Sequence, residues 1–97
     1  MENFNMPFVL QVMDLGPTEG QYLEWFDLEA HGPMGPYPTG QVSFTPTLER
    51  ALRFDTAALA LETWKRQSRK APLRPDGEPN RPLTAFTMAI VPVKSEV

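Results

Sequence analysis

At 97 residues, with 41% hydrophobic and 22% charged residues and a net charge of −3, the chain is sized for one domain with a modest core and lies outside the disordered class. It contains no cysteine, which excludes disulfide frameworks, thiolate metal sites and cysteine nucleophiles, and points to a reducing, cytoplasmic setting. No basic stretch precedes an apolar run at Met1 to Asn5, so no secretory leader is expected, and no apolar run approaches the ~20 residues of a membrane span.

Along the chain, Phe8 to Met13 is β-prone and bounded by Pro7 and by Gly16-Pro17. It predicts a first strand with Phe8, Leu10 and Val12 on one face. Gly16 to Gly20 reads as a turn, leading into an antiparallel second strand from Tyr22 to Leu28. Regular alternation there sets Leu23, Trp25 and Asp27 on one face and Tyr22, Glu24, Phe26 and Leu28 on the other. Both faces carry large apolar groups, so either both are covered or one is a contact surface. His31 to Gly40 holds three glycines and three prolines, a density that neither helix nor ladder tolerates, and is expected to be a loop. Val42 to Phe44 suggests a short third strand. Thr45-Pro46 reads as a helix start, opening a helical turn to about Arg53. Phe54 is expected in the core.

Asp55 is the expected cap of the main helix, Thr56 to about Ser68. Its Ala- and Leu-rich first half favours helix, and Ala57, Leu61 and Trp64 form a stripe with Ala60 beside it. Arg69 to Pro82 is a second proline-rich loop with a Pro75-Asp76-Gly77 turn. Its Arg69-x-x-Pro72-x-x-Pro75 pattern also fits a polyproline ligand, though a proline-stiffened loop is the simpler reading. Thr84 to Val91 alternates, with Phe86, Met88 and Ile90 inward, and reads as the last strand, stopped by Pro92. The fold expected is a single α+β domain over residues 1–97: a small, mostly antiparallel sheet of three to four strands with one main helix packed on one face. Leu61, Trp64, Phe54, Phe86, Met88 and Ile90 are its expected core, with Leu10 and Val12 nearby.

Enzyme chemistry needs convergent groups. The single histidine, His31, lies in the glycine-proline loop, and Ser43, Ser68 and Ser95 sit in no nucleophile motif. Glu24 and Asp27 fall on opposite faces of a regular strand, which argues against a metal cage. Gly32-Pro33-Met34-Gly35 lacks the lysine and the following helix of a phosphate loop. No catalytic residue, metal or cofactor is expected.

Charge carries the clearest signal. Residues 1–49 hold seven acids and no lysine or arginine, whereas residues 50–97 hold nine bases and five acids. One reading is mutual neutralisation across the folded surface. The other is a dipolar surface that steers a partner. An acidic and aromatic face would then comprise Glu19, Tyr22, Glu24, Trp25, Asp27, Glu29, Met34 and Tyr37. The alternative is a basic patch of Lys65, Arg66, Arg69, Lys70 and Arg74, placed to meet phosphate.

Phe8-Val9-Leu10, Tyr22-Leu23, and Ala51-Leu52-Arg53-Phe54 through Ala60 give the chain an order of features that resembles small accessory proteins of phages and prophages. The resemblance spans most of the chain and implies the same α+β layout. Members with a known role commonly bind and block a host protein, as anti-CRISPR inhibitors do. The matching positions pack the core, so no functional residue transfers. The expectation is a non-enzymatic module that occludes a basic surface on a bacterial complex, with a second copy of the chain as another candidate partner. The alternative is a nucleic-acid-associated protein using the basic cluster.

Overall fold

The computed structural model describes residues 7–30 and 40–93; the loop expected at residues 31–40 lies outside them except for Gly40. Alternating apolar residues build four strands: β1 (Phe8–Val12), β2 (Tyr22–Asp27), β3 (Gln41–Thr45) and β4 (Met88–Pro92). They form one antiparallel sheet in the order β3-β2-β1-β4. The single α-helix among the described residues, α1 (Ala57–Trp64), packs over β1 and β4. This is the small α+β fold the sequence calls for.

Both sheet faces are covered at the centre. Leu10 pairs with Ile90 and Val12 with Met88, and cross-strand partners share a face. The main core joins buried Leu10, Leu23, Leu28, Phe54, Ala60 and Leu83, with half-buried Trp64, Met88 and Ile90 packed against them. Phe86 reaches it through an edge-on contact with Phe44, ring centres 5.1 Å apart. On the reverse face Val9, Ala51 and Val93 form a smaller cluster with Tyr22, Leu48 and Val91.

The helix differs from expectation at both ends and in register. Thr56, not Asp55, is its cap, its hydroxyl accepting from the Leu59 N–H at 3.0 Å. The helix stops at Trp64 rather than Ser68, because the Ser68 N–H is drawn to the Asn80 carbonyl at 2.8 Å. Its inward stripe is Ala60, Thr63 and Trp64, while Leu61 is 41% exposed. The Trp64 indole N–H donates to the Phe86 carbonyl at 2.9 Å, which fixes the helix's rotation, and Ala60 permits close approach to the sheet. Leu61 then lies ~100° around from Ala60 and out of the core.

Two other boundaries shift. Thr45 ends β3, buried, and its hydroxyl accepts from the Thr47 N–H at 3.1 Å; it does not cap a helix. A single 3₁₀ turn, Leu48–Arg50, takes the place of the longer helical turn expected to Arg53. Before the last strand, Pro82–Ala85 forms another 3₁₀ turn, with the Arg81 carbonyl accepting from both the N–H and the hydroxyl of Thr84. β4 therefore starts at Met88, not Thr84, and runs through Pro92. Proline is tolerated there because β4 is an edge strand.

The proline-rich segment between Arg69 and Pro82 is a pinched loop. Leu73 bridges to Pro79, and the Arg74 N–H donates to the Glu78 carbonyl at 2.7 Å across the Pro75-Asp76-Gly77 turn. The Pro72 carbonyl accepts from the Asn80 N–H. These internal bonds support the proline-stiffened loop over an open polyproline ligand. Glycine is required at Gly40, whose φ is +83° and whose absent Cβ would lie 2.6 Å from the Pro82 side chain. That approach seats the entry to β3 on the 3₁₀ turn before β4.

Candidate functional site

A β-bulge at Glu24 rearranges the second strand. Leu23 faces Phe44, but Trp25 faces Ser43 and Phe26 faces Val42, so β2 spends one extra residue against β3. Leu23 and Phe26 both turn to the main core, and Tyr22, Trp25 and Asp27 share the reverse face. Uniform alternation, which groups Leu23 with Trp25 and Asp27 and Tyr22 with Phe26, fails at this one residue.

The result is an aromatic strip on the face away from α1. Tyr22 is half-buried beside Leu48, while Trp25 is 51% exposed. Opposite Tyr22, Trp25 and Asp27 on β3 stand Thr45, Ser43 and Gln41. Glu24 lies within the strip: one carboxylate oxygen accepts from Arg50 at 2.7 Å, the other from the Ser43 hydroxyl at 3.5 Å. Asp27 is exposed, and one of its oxygens accepts from the Glu29 N–H at 3.0 Å, an Asx turn closing the strand. Glu19 is exposed in the turn before β2. Met34 and Tyr37, also expected on this face, lie outside the described residues, as does His31.

Glu29 has a different task. Its carboxylate accepts from the Ser68 hydroxyl at 2.6 Å, the Arg69 N–H at 2.8 Å and the Lys70 N–H at 2.9 Å. The Arg69 N–H, then the Ser68 hydroxyl and the Lys70 N–H, hold its pKa down from 4.5 to about 2. The end of β2 thus grips the chain leaving α1. The acidic half of the sequence meets the basic half here, through two backbone N–H groups and the Ser68 hydroxyl, with the Lys70 charge adding a smaller pull.

The structure brings two members of the basic set, Lys65 and Arg74, to one cleft. Arg69 and Lys70 stand where Glu29 holds their backbone, and Arg66 is exposed just past the helix. The cleft is also lined by Trp64, Glu78, Pro79, Arg81 and Thr84. Neither Arg81 nor Arg50 belongs to the acidic or the basic set read from the sequence. Each takes its place only through tertiary contact, so no local signal marks them. Among the described residues no group of histidine, aspartate or glutamate side chains could hold a metal ion, and no helix is long and apolar enough to cross a membrane. No protein family, curated protein or solved structure matches the chain.

Proposed function

We propose that this protein is a non-enzymatic binding module that works by occlusion, seating the Tyr22–Trp25 strip on a basic surface of a bacterial protein complex. The observation that carries the reading is Trp25: a large indole 51% exposed at the centre of a strand, flanked by Asp27 and Glu24. Exposed aromatics rimmed by charge are the usual anchors of protein interfaces. A phage-type inhibitor of a host defence complex is the role suggested by the resemblance in the core motifs, and a cysteine-free chain suits the bacterial cytoplasm.

Trp25→Ala should weaken capture of the partner at least tenfold at temperatures where the variant is still folded, and should cost less stability than a core truncation because half of the residue is already in water. Asp27→Lys together with Glu19→Lys should act mainly through a slower on-rate. Surface plasmon resonance against the partner recovered from a bacterial lysate measures both. Unchanged binding by Trp25→Ala would reject this face.

Self-association is a second reading, favoured by the β4 edge. The Met13 N–H donates to the Thr87 carbonyl and the Val93 N–H to the Pro7 carbonyl. Odd-numbered residues of β4 therefore bond to β1, leaving the backbone groups of Met88 and Ile90 on the sheet's outer edge. The strand Met-Ala-Ile-Val-Pro carries no charge to repel a copy of itself. Antiparallel pairing of two β4 edges would give a two-fold dimer with a continuous eight-stranded sheet. Sedimentation equilibrium should show dimer at tens of micromolar; monomer alone throughout that range would exclude it.

A further inference from the structure

We propose that the cleft beside Trp64 binds a nucleoside phosphate unit, as a free nucleotide or within a single strand. The cleft has a volume of about 320 Å³ and is lined by Trp64, Lys65, Arg74, Glu78, Pro79, Arg81 and Thr84. That volume is at the small end of ligand pockets, which start at ~300 Å³. Its lining carries three cations and one acid, on a chain whose net charge is −3. A concavity of sign opposite to the whole molecule concentrates anions locally.

The chemistry of the wall narrows the anion. Arg74 and Arg81 present planar guanidinium forks that match phosphate oxygens two at a time, with Lys65 as a further point charge. Among the described residues the Arg74 guanidinium has one loose ion-pair partner, Asp76, at 3.6 Å and with both side chains partly in water, so phosphate can displace it. Trp64 and Pro79 supply an apolar wall to the same cleft. The Trp64 indole is already held by its bond to the Phe86 carbonyl, so a base can pack on it without ordering the ring first. A ring beside a phosphate is what a nucleotide offers. An acidic peptide offers carboxylates on flexible stems and leaves that wall unused.

This site lies apart from the Trp25 strip and stands or falls independently of the occlusion reading. Trp25→Phe leaves Trp64 as the single tryptophan of the chain, so its fluorescence reports on the cleft alone. In that background, AMP should quench saturably, adenosine should bind at least tenfold more weakly, and the AMP response should fall as sodium chloride is raised. A (dT)₈ oligonucleotide binding more tightly than AMP assigns the site to a single strand; equal or weaker binding assigns it to the free nucleotide. Arg81→Glu and Lys65→Glu should each cost tenfold or more with near-UV circular dichroism unchanged, whereas Arg69→Glu, outside the cleft, should change affinity less than twofold. No quenching by AMP or (dT)₈, equal binding of adenosine and AMP, or equal binding of poly-glutamate would each overturn the proposal. So would indifference to both cleft substitutions.

Discussion

Replacing Leu23 by alanine is expected to destabilise the protein by about 2–5 kcal/mol, the range for truncating a buried leucine. Leu23 is fully buried and opposes Phe44 across the β2–β3 ladder. Its carbonyl accepts from the Leu52 N–H at 2.9 Å, so the backbone is pinned on the side where it would have to move to fill the hole. The bulge at Glu24 comes immediately after and depends on Leu23 staying inward. Small domains hold a total margin of only about 5–15 kcal/mol, and each kcal/mol moves the melting temperature of a chain this size by about 4–8 °C. Leu61→Ala is the internal comparison: that side chain is 41% exposed, and alanine is the better helix former, so the change should stay within about 1 kcal/mol. Urea titration of both variants reads the contrast. A cost for Leu61→Ala equal to that for Leu23→Ala would contradict a helix register that turns Leu61 to solvent.

Loss of the Glu29 carboxylate is expected to give the largest pH-dependent effect. The folded-state pKa of about 2 lies below the ordinary 4.5, so folding favours the ionised form. The stability this contributes is fully present above pH 4.5 and is lost as the pH falls towards 2. Glu29→Gln has no proton to take up in that window and retains at most one acceptor for three donors. It should melt at a lower temperature than the wild type at neutral pH, and the two curves should converge as the pH is lowered through the window. Amide exchange at Arg69 and Lys70 should accelerate in the variant, because those N–H groups lose their acceptor. Parallel melting curves from pH 7 to pH 2 would show that Glu29 does not hold the loop. Glu29 is therefore unsuited to a charge-reversal test of partner binding, which is better carried by Glu19 and Asp27.

Local chemistry along the chain determined the class of fold. Period-two alternation at Phe8 to Val12, and the glycine-proline turn before β2, specify two adjacent antiparallel strands without reference to anything distant. Alanine and leucine after Thr56 specify a helix. The absence of cysteine, and the concentration of acids in the first half, are equally properties of the sequence alone. Tertiary structure decided whatever depended on a partner far along the chain. The bulge at Glu24 breaks alternation with no glycine or proline to announce it, because the competition is settled by Phe44 and Phe26 reaching the same core. The helix register results from a bond between Trp64 and the Phe86 carbonyl, and its end from Asn80 capturing the Ser68 N–H. Glu29 reads as one more acid in an acidic strand until the fold brings three donors from Ser68 to Lys70 around it. Arg81 joins Lys65 and Arg74 only because the proline-rich loop doubles back on itself. A side chain's type is local, whereas its partners are set by chain closure over tens of residues, and the functional faces of this protein are made of partners.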